Sequence, residues 1–143
     1  INISIGRGTP NPFEFLGAPW MDPVETARDL NTLGLQSFRF RPVVFQPTFS
    51  IFQGKRCGGV QMHYAGGRFS PIEVSYRMVS YLKKRHPRFQ WKHSGAHYWV
   101  DYLAGTDLFR KSIDAGLDYE RFDEKIRDGI RQYRRHRTPS LLY

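Results

Sequence analysis

The residues best equipped for chemistry stand near the start of the chain, in Gly6-Arg7-Gly8-Thr9. Two glycines free the backbone around one arginine, so its planar guanidinium can be aimed as a fork at a carboxylate or a phosphate. Thr9 adds a hydroxyl donor. A phosphate-binding loop needs a lysine and a following helix, and here Pro10-Asn11-Pro12 follows instead. The same four residues also suit an ordinary surface turn after a strand.

Phe45-Gln46-Pro47-Thr48-Phe49 forms an aromatic loop beside Arg39 and Arg41. The apolar face of a pyranose packs on an aromatic ring, so such a loop can be a sugar platform; it can equally be core at a strand end. Trp20, after Pro19, has the same two uses. Gln61 and His63 share one face of an expected strand. If that face lines a cleft they offer hydrogen bonds and a proton acceptor near neutral pH; otherwise His63 is structural.

Glycoside cleavage usually needs two carboxylates. None lies between Asp29 and Glu73. Asp22 and Asp107 are accounted for as helix starts, and only Glu14 sits in an irregular segment near the arginine loop. No pair emerges, so no catalytic residue is named. His93 and His97 are four apart, but Ser94-Gly95-Ala96 between them is poor helix and no third ligand follows. No metal site and no cofactor are expected. Lys83-Lys84-Arg85-His86-Pro87-Arg88 is basic. It complements a helix dipole, can touch an anionic polymer, or is simply solvated.

These residues need elements to hold them. Ile1, Ile3 and Ile5 alternate with Asn2 and Ser4, which predicts a strand over residues 1–5. Phe13–Ala18 reads as a short apolar stretch. Asp22-Pro23-Val24-Glu25 predicts a helix start, with the helix running to about Asn31 and Gly34 beyond it as a stop. Ser37–Phe45 predicts a strand that Pro42 confines to an edge or a bulge. Cys57–Tyr64 is the expected central strand, with Val60, Met62 and Tyr64 on one face.

Ser70-Pro71-Ile72-Glu73 opens a second helix carrying Ile72, Tyr76, Val79 and Leu82, which ends before Pro87. Phe89–Ser94 reads as short and extended, and Tyr98–Leu103 as a helical turn. Thr106 caps a third helix, Asp107–Ala115, and Asp118 precedes a fourth, Tyr119–Arg137, whose opposite charges pair along an exposed face. The tail Leu141-Leu142-Tyr143 is expected to dock on the body. The fold class is therefore α+β: a small mixed or antiparallel sheet from the N-terminal half, packed against about four helices, mostly C-terminal. Residues 1–143 read as a single domain with no repeat and no internal linker.

The chain has 143 residues, 40% hydrophobic and 15% aromatic, enough for a real core and too much for a disordered tail. No run approaches the roughly 18 apolar residues that cross a bilayer. One cysteine, Cys57, excludes an internal disulfide. The net charge of +9 favours an anionic partner without naming it. Ile1 opens directly in strand pattern with no secretory signal pattern, so either processing removed something or the sequence is a piece of a longer protein.

Six segments in order carry a resemblance: NISIGRGT at 2–9, PFEFLGAPW at 12–20, FRPVVFQPTFS at 40–50, CGGVQMH at 57–63, LAGTD at 103–107 and LLY at 141–143. Together they resemble the carboxy-terminal part of the bacterial exo-β-N-acetylmuramidases, the NamZ-like glycoside hydrolases. The resemblance implies a two-part enzyme. Its Rossmann-like half precedes this one and holds the catalytic carboxylate, and the active site is a cleft between the halves. The family releases N-acetylmuramic acid from the non-reducing end of peptidoglycan-derived chains.

That implies a muropeptide or disaccharide as partner, with no nucleic acid, and an exported, periplasmic or cell-surface setting. Many relatives carry glutamate where Ile5 stands, and any role of that glutamate is absent here. Gly6, Arg7, Gly8 and Thr9 become a cleft wall, with Arg7 suited to the lactyl carboxylate of the sugar. Trp20, Phe45, Thr48, Phe49, Gln61 and His63 become further candidate contacts. Alone, the domain is expected to be inactive. A non-catalytic wall-glycan-binding module is the alternative, and a basic nucleic-acid-binding domain a more distant one.

Overall fold

Asp22 and Ser70 act as their positions in the sequence require. Each lies in extended backbone and accepts a hydrogen bond from the amide three residues on, Glu25 N at 2.7 Å and Glu73 N at 3.3 Å. In the computed structural model, which describes residues 1–141, these caps open α1 (Pro23–Asn31) and α2 (Pro71–Arg85). Asp118 caps the long C-terminal helix in the same way, through Arg121 N.

The sheet is antiparallel. β1 (Phe15–Ala18) and β2 (Phe38–Phe45) flank β3 (Cys57–Tyr64). Pro42 therefore sits on an edge strand, where its missing N–H costs no ladder bond. β1 occupies the stretch that the sequence predicted only as apolar. Residues 1–5 form no strand; they make a single bridge, in which Ser4 and Gly17 exchange backbone bonds at 2.9 and 3.0 Å. Gly6 takes φ +76° immediately afterwards, so the chain turns away before a ladder can grow.

The remaining elements are a small hairpin, β4 (His93–Ser94) with β5 (His97–Tyr98), and the helices α3 (Trp99–Ala104), α4 (Leu108–Asp114) and α5 (Tyr119–Arg137). A 3-10 turn covers Thr138–Ser140. The docking expected of Leu141-Leu142-Tyr143 falls largely outside the described residues; Leu141 itself is exposed.

α2 joins the parts. Val74 and Met78 pack with Ala27 and Leu30 of α1 and with Phe38, Phe40 and Val60 of the sheet. Leu82 packs with Ile3, Ala18 and Met21. Tyr76 packs with Phe109, Ile113 and Phe122, its ring stacked on Phe122 at 4.4 Å. Because α2 feeds three apolar clusters, truncating Leu82, which is 1% exposed, removes roughly 2–5 kcal/mol. Only one face of the sheet meets the helices. Phe15, Arg39, Arg41, Phe45, Gln61 and His63 alternate onto the other face.

Candidate functional site

The Gly6–Thr9 turn is built by its own sequence. Both glycines take positive φ, +76° and +81°. Thr9 closes the turn twice on Gly6 O, with its amide at 3.1 Å and its hydroxyl at 2.7 Å. Ser4 Oγ accepts from Gly6 N at 3.2 Å. The turn is then tied to the aromatic loop, since Thr48 donates to Gly8 O through both its amide, at 2.8 Å, and its hydroxyl, at 3.0 Å. A side chain at Gly8 would lie 2.7 Å from Phe49 N, so the close approach needs glycine.

Arg7 emerges exposed from this clamp, with its guanidinium 5.5 Å from the Phe13 ring centre. Phe13 itself adopts φ +68° and is 63% exposed. A large aromatic side chain in left-handed backbone is strained, and here Phe13 N is held by Ile5 O at 2.7 Å. Arg7, Thr9, Phe13, Thr48 and Phe49 line a shallow groove of about 590 Å³. Phe49 is exposed, and Ser50 and Phe52 also take positive φ, so the aromatic loop is held in a strained form at the groove rim. One cation, one hydroxyl pair and two open rings suit a sugar that carries an anionic substituent.

The structure brings Gly6, Arg7, Gly8, Thr9, Thr48 and Phe49 together and places the other predicted residues elsewhere. Phe45 is 7% exposed, its ring 5.4 Å from Phe15 and over Gly17; it is core. Gln61 is buried and bridges Arg41 Nε to Glu14 Oε2, at 2.7 Å each. His63 is exposed opposite Arg39 at the far end of the sheet. Trp20 packs 5.1 Å from His86 and lines a separate depression with Pro87 and Arg88. Burial, and then the Arg85 charge, hold the His86 imidazole below its ordinary range.

Sequence reasoning missed Phe13 as a groove residue. Nothing marks a phenylalanine for left-handed backbone, although the neighbouring Pro10-Asn11-Pro12 signals a turn. Among the described residues, no group of three or more His, Cys, Asp or Glu side chains could hold a metal ion. Nor is any helix long and apolar enough to cross a membrane.

The whole chain, residues 1–143, matches the family described as "Exo-beta-N-acetylmuramidase NamZ, C-terminal". It is 33% identical over 144 residues to "Peptidoglycan beta-N-acetylmuramidase NamZ" of Bacillus subtilis (strain 168), covering 99% of this chain and 34% of that protein. A crystal structure of a DUF1343 family protein from Bacteroides fragilis shares the fold, with a TM-score of 0.75 at 24% identity over 99% of this chain and 38% of that one. The chain thus spans about a third of the length of both relatives. It belongs to the family of NamZ C-terminal domains.

Proposed function

We propose that this domain forms one wall of the substrate cleft of a peptidoglycan amino-sugar hydrolase and binds the N-acetylmuramic acid end of wall-derived glycans. In this reading a Rossmann-like half of the same protein supplies the bond-breaking carboxylate, and the protein works outside the cytoplasm, where its polymer is. The observation that carries the reading is the clamped turn: a backbone fixed around Arg7 by Gly6, Gly8 and Thr9, which presents an exposed guanidinium beside two open aromatic rings.

A lactyl carboxylate distinguishes muramic acid from glucosamine. A guanidinium pairs with that carboxylate through two parallel charge-assisted hydrogen bonds. The Phe49 ring offers a face to the pyranose, and the Thr9 and Thr48 hydroxyls, each already donating to a backbone carbonyl, retain acceptor capacity for sugar hydroxyls.

The test is selectivity. In the full-length protein, Arg7→Ala should lower kcat/KM toward muramic substrates about tenfold or more, the worth of a charge-assisted contact. Turnover of the matching glucosaminyl substrate should stay as it was. Equal kinetics of variant and wild type on both substrates would discard the reading.

A further inference from the structure

The outer face of the sheet carries a second arginine whose placement is built. Arg41 on β2 stands opposite Gln61 on β3 and donates from Nε to Gln61 Oε1 at 2.7 Å. Gln61 donates from Nε2 to Glu14 Oε2 at 2.7 Å. The amide has one consistent orientation, because a guanidinium only donates and a carboxylate only accepts. Gln61 is 5% exposed, so this amide is locked at both ends inside the protein. Arg41 is held by its Nε alone. Among the described residues its two terminal nitrogens make no hydrogen bond or ion pair, and the side chain is exposed. An end-on fork is therefore presented outward from a buried anchor.

The anchor reaches the groove. Glu14 Oε2 also accepts from Asn11 Nδ2 at 3.2 Å. Asn11 N donates to Thr9 Oγ1 at 3.3 Å, and that hydroxyl donates to Gly6 O at 2.7 Å. One hydrogen-bonded chain thus runs from the Gly6–Thr9 turn to Arg41. Gln61 stands between Glu14 and Arg41, which keeps the carboxylate from capping the fork. Exposed Arg39 and His63 flank Arg41 on the same face, and the chain offers no other carboxylate between Asp29 and Glu73 to neutralise them.

We infer that Arg41 binds a second carboxylate of the same glycan strand, with Gln61 as its positioning residue. This rests on the proposed function. A peptide-free wall glycan alternates muramic and glucosaminyl units, so a strand whose terminal lactyl carboxylate faces Arg7 presents another free carboxylate one disaccharide further on. Two cationic forks belong to one hydrogen-bonded chain, and the second carboxylate of the strand is the anion the outer one would take. The role is specificity for chain length, not bond cleavage.

Calorimetric titration of the full-length protein with non-hydrolysable thio-linked analogues, a disaccharide holding one muramic unit and a tetrasaccharide holding two, tests this. Arg41→Ala should weaken the tetrasaccharide about tenfold and leave the disaccharide unchanged. Arg41→Gln, which keeps the aliphatic stem, should do the same if the alanine variant folds poorly. A tetrasaccharide with its second lactyl carboxyl converted to an amide should bind wild type as weakly as the free acid binds Arg41→Ala. Gln61→Met should weaken only the tetrasaccharide, and the double variant should be no worse than Arg41→Ala alone.

Three results would overturn the inference: an unchanged tetrasaccharide affinity, an equal loss for both sugars, or a lowered thermal midpoint with affinities intact, which would assign Arg41 to an acidic protein surface. Failure of the parent reading looks different, because wild type would then bind neither sugar.

Discussion

Gly8 leaves no room for a side chain. A Cβ there would sit 2.7 Å from Phe49 N and 2.9 Å from Phe49 O and Thr48 N, all backbone atoms, with φ already at +81°. Gly8→Ala should therefore cost about 1–3 kcal/mol from the backbone conformation alone. Since the Thr48 bonds hold the aromatic loop to the turn, sugar affinity should fall with stability; a urea midpoint within error of wild type would show that the clamp is not rigid. Glycines of this kind are legible in sequence because they punctuate an arginine between two breaks in regular pattern. Phe45 was not. Its ring is buried because Gly17, on a neighbouring strand, has no side chain to oppose it, and that pairing is non-local. Gln61 was legible as a polar residue on the outer face; its task, holding Arg41, depends on a register of strands that no local signal fixes.

At the scale of elements, the helices were legible and the sheet less so. Asp22, Ser70 and Asp118 announce helix starts within three residues of themselves, so local chemistry suffices. Ile1–Ile5 has perfect strand alternation yet forms one bridge, while Phe15–Ala18, with a glycine inside it, forms the strand, because β3 offers Gly58 and Gly59 to receive it. A Cβ at Gly59 would lie 2.0 Å from Leu16 O, so the two strands approach at a distance only glycine permits.

The end of α2 has its own consequence. His86 is its C-terminal cap, wedged between Trp20 and Tyr81, and its Nε2 is buried without a partner. Arg85, Glu25 and Asp29 face the same corner. Tyr81, half-buried and bonded to Asp29, has its phenol pushed up to about 12 and stays neutral. The folded-state pKa of His86 lies below that of the unfolded chain, about 6.5. Its neutral form therefore stabilises the fold above that pH, and the contribution is lost as pH falls from about 6.5 through the lowered folded value. His86→Phe, which keeps a ring between Trp20 and Tyr81, should flatten the decline of stability in that window. An unchanged pH profile would assign the acid sensitivity to other groups.

Across the whole molecule, the cations divide into those with an acidic partner and those without. Several helix cations have acidic partners: Arg77 with Glu73 and Glu120, Arg85 with Glu25, Lys83 with Asp114, Arg110 with Asp101, Arg127 with Asp123. Among the described residues Arg7, Arg39 and Arg41 make no ion pair, and they belong to the turn and the outer sheet face. The net +9 read from composition is spread over the molecule, helices included, so it does not by itself mark the groove. Exposed pairs on helices contribute little each; unpaired cations beside open rings are available to an anionic sugar. The decisive observation is where that anion goes. A crystal structure of the full-length protein with a muramic disaccharide measures it directly. Both lactyl carboxylate oxygens should lie ~2.7–2.9 Å from the Arg7 guanidinium with a pyranose over Phe49; a carboxylate directed into solvent, or bound by a residue away from the Gly6–Thr9 turn, would contradict this assignment.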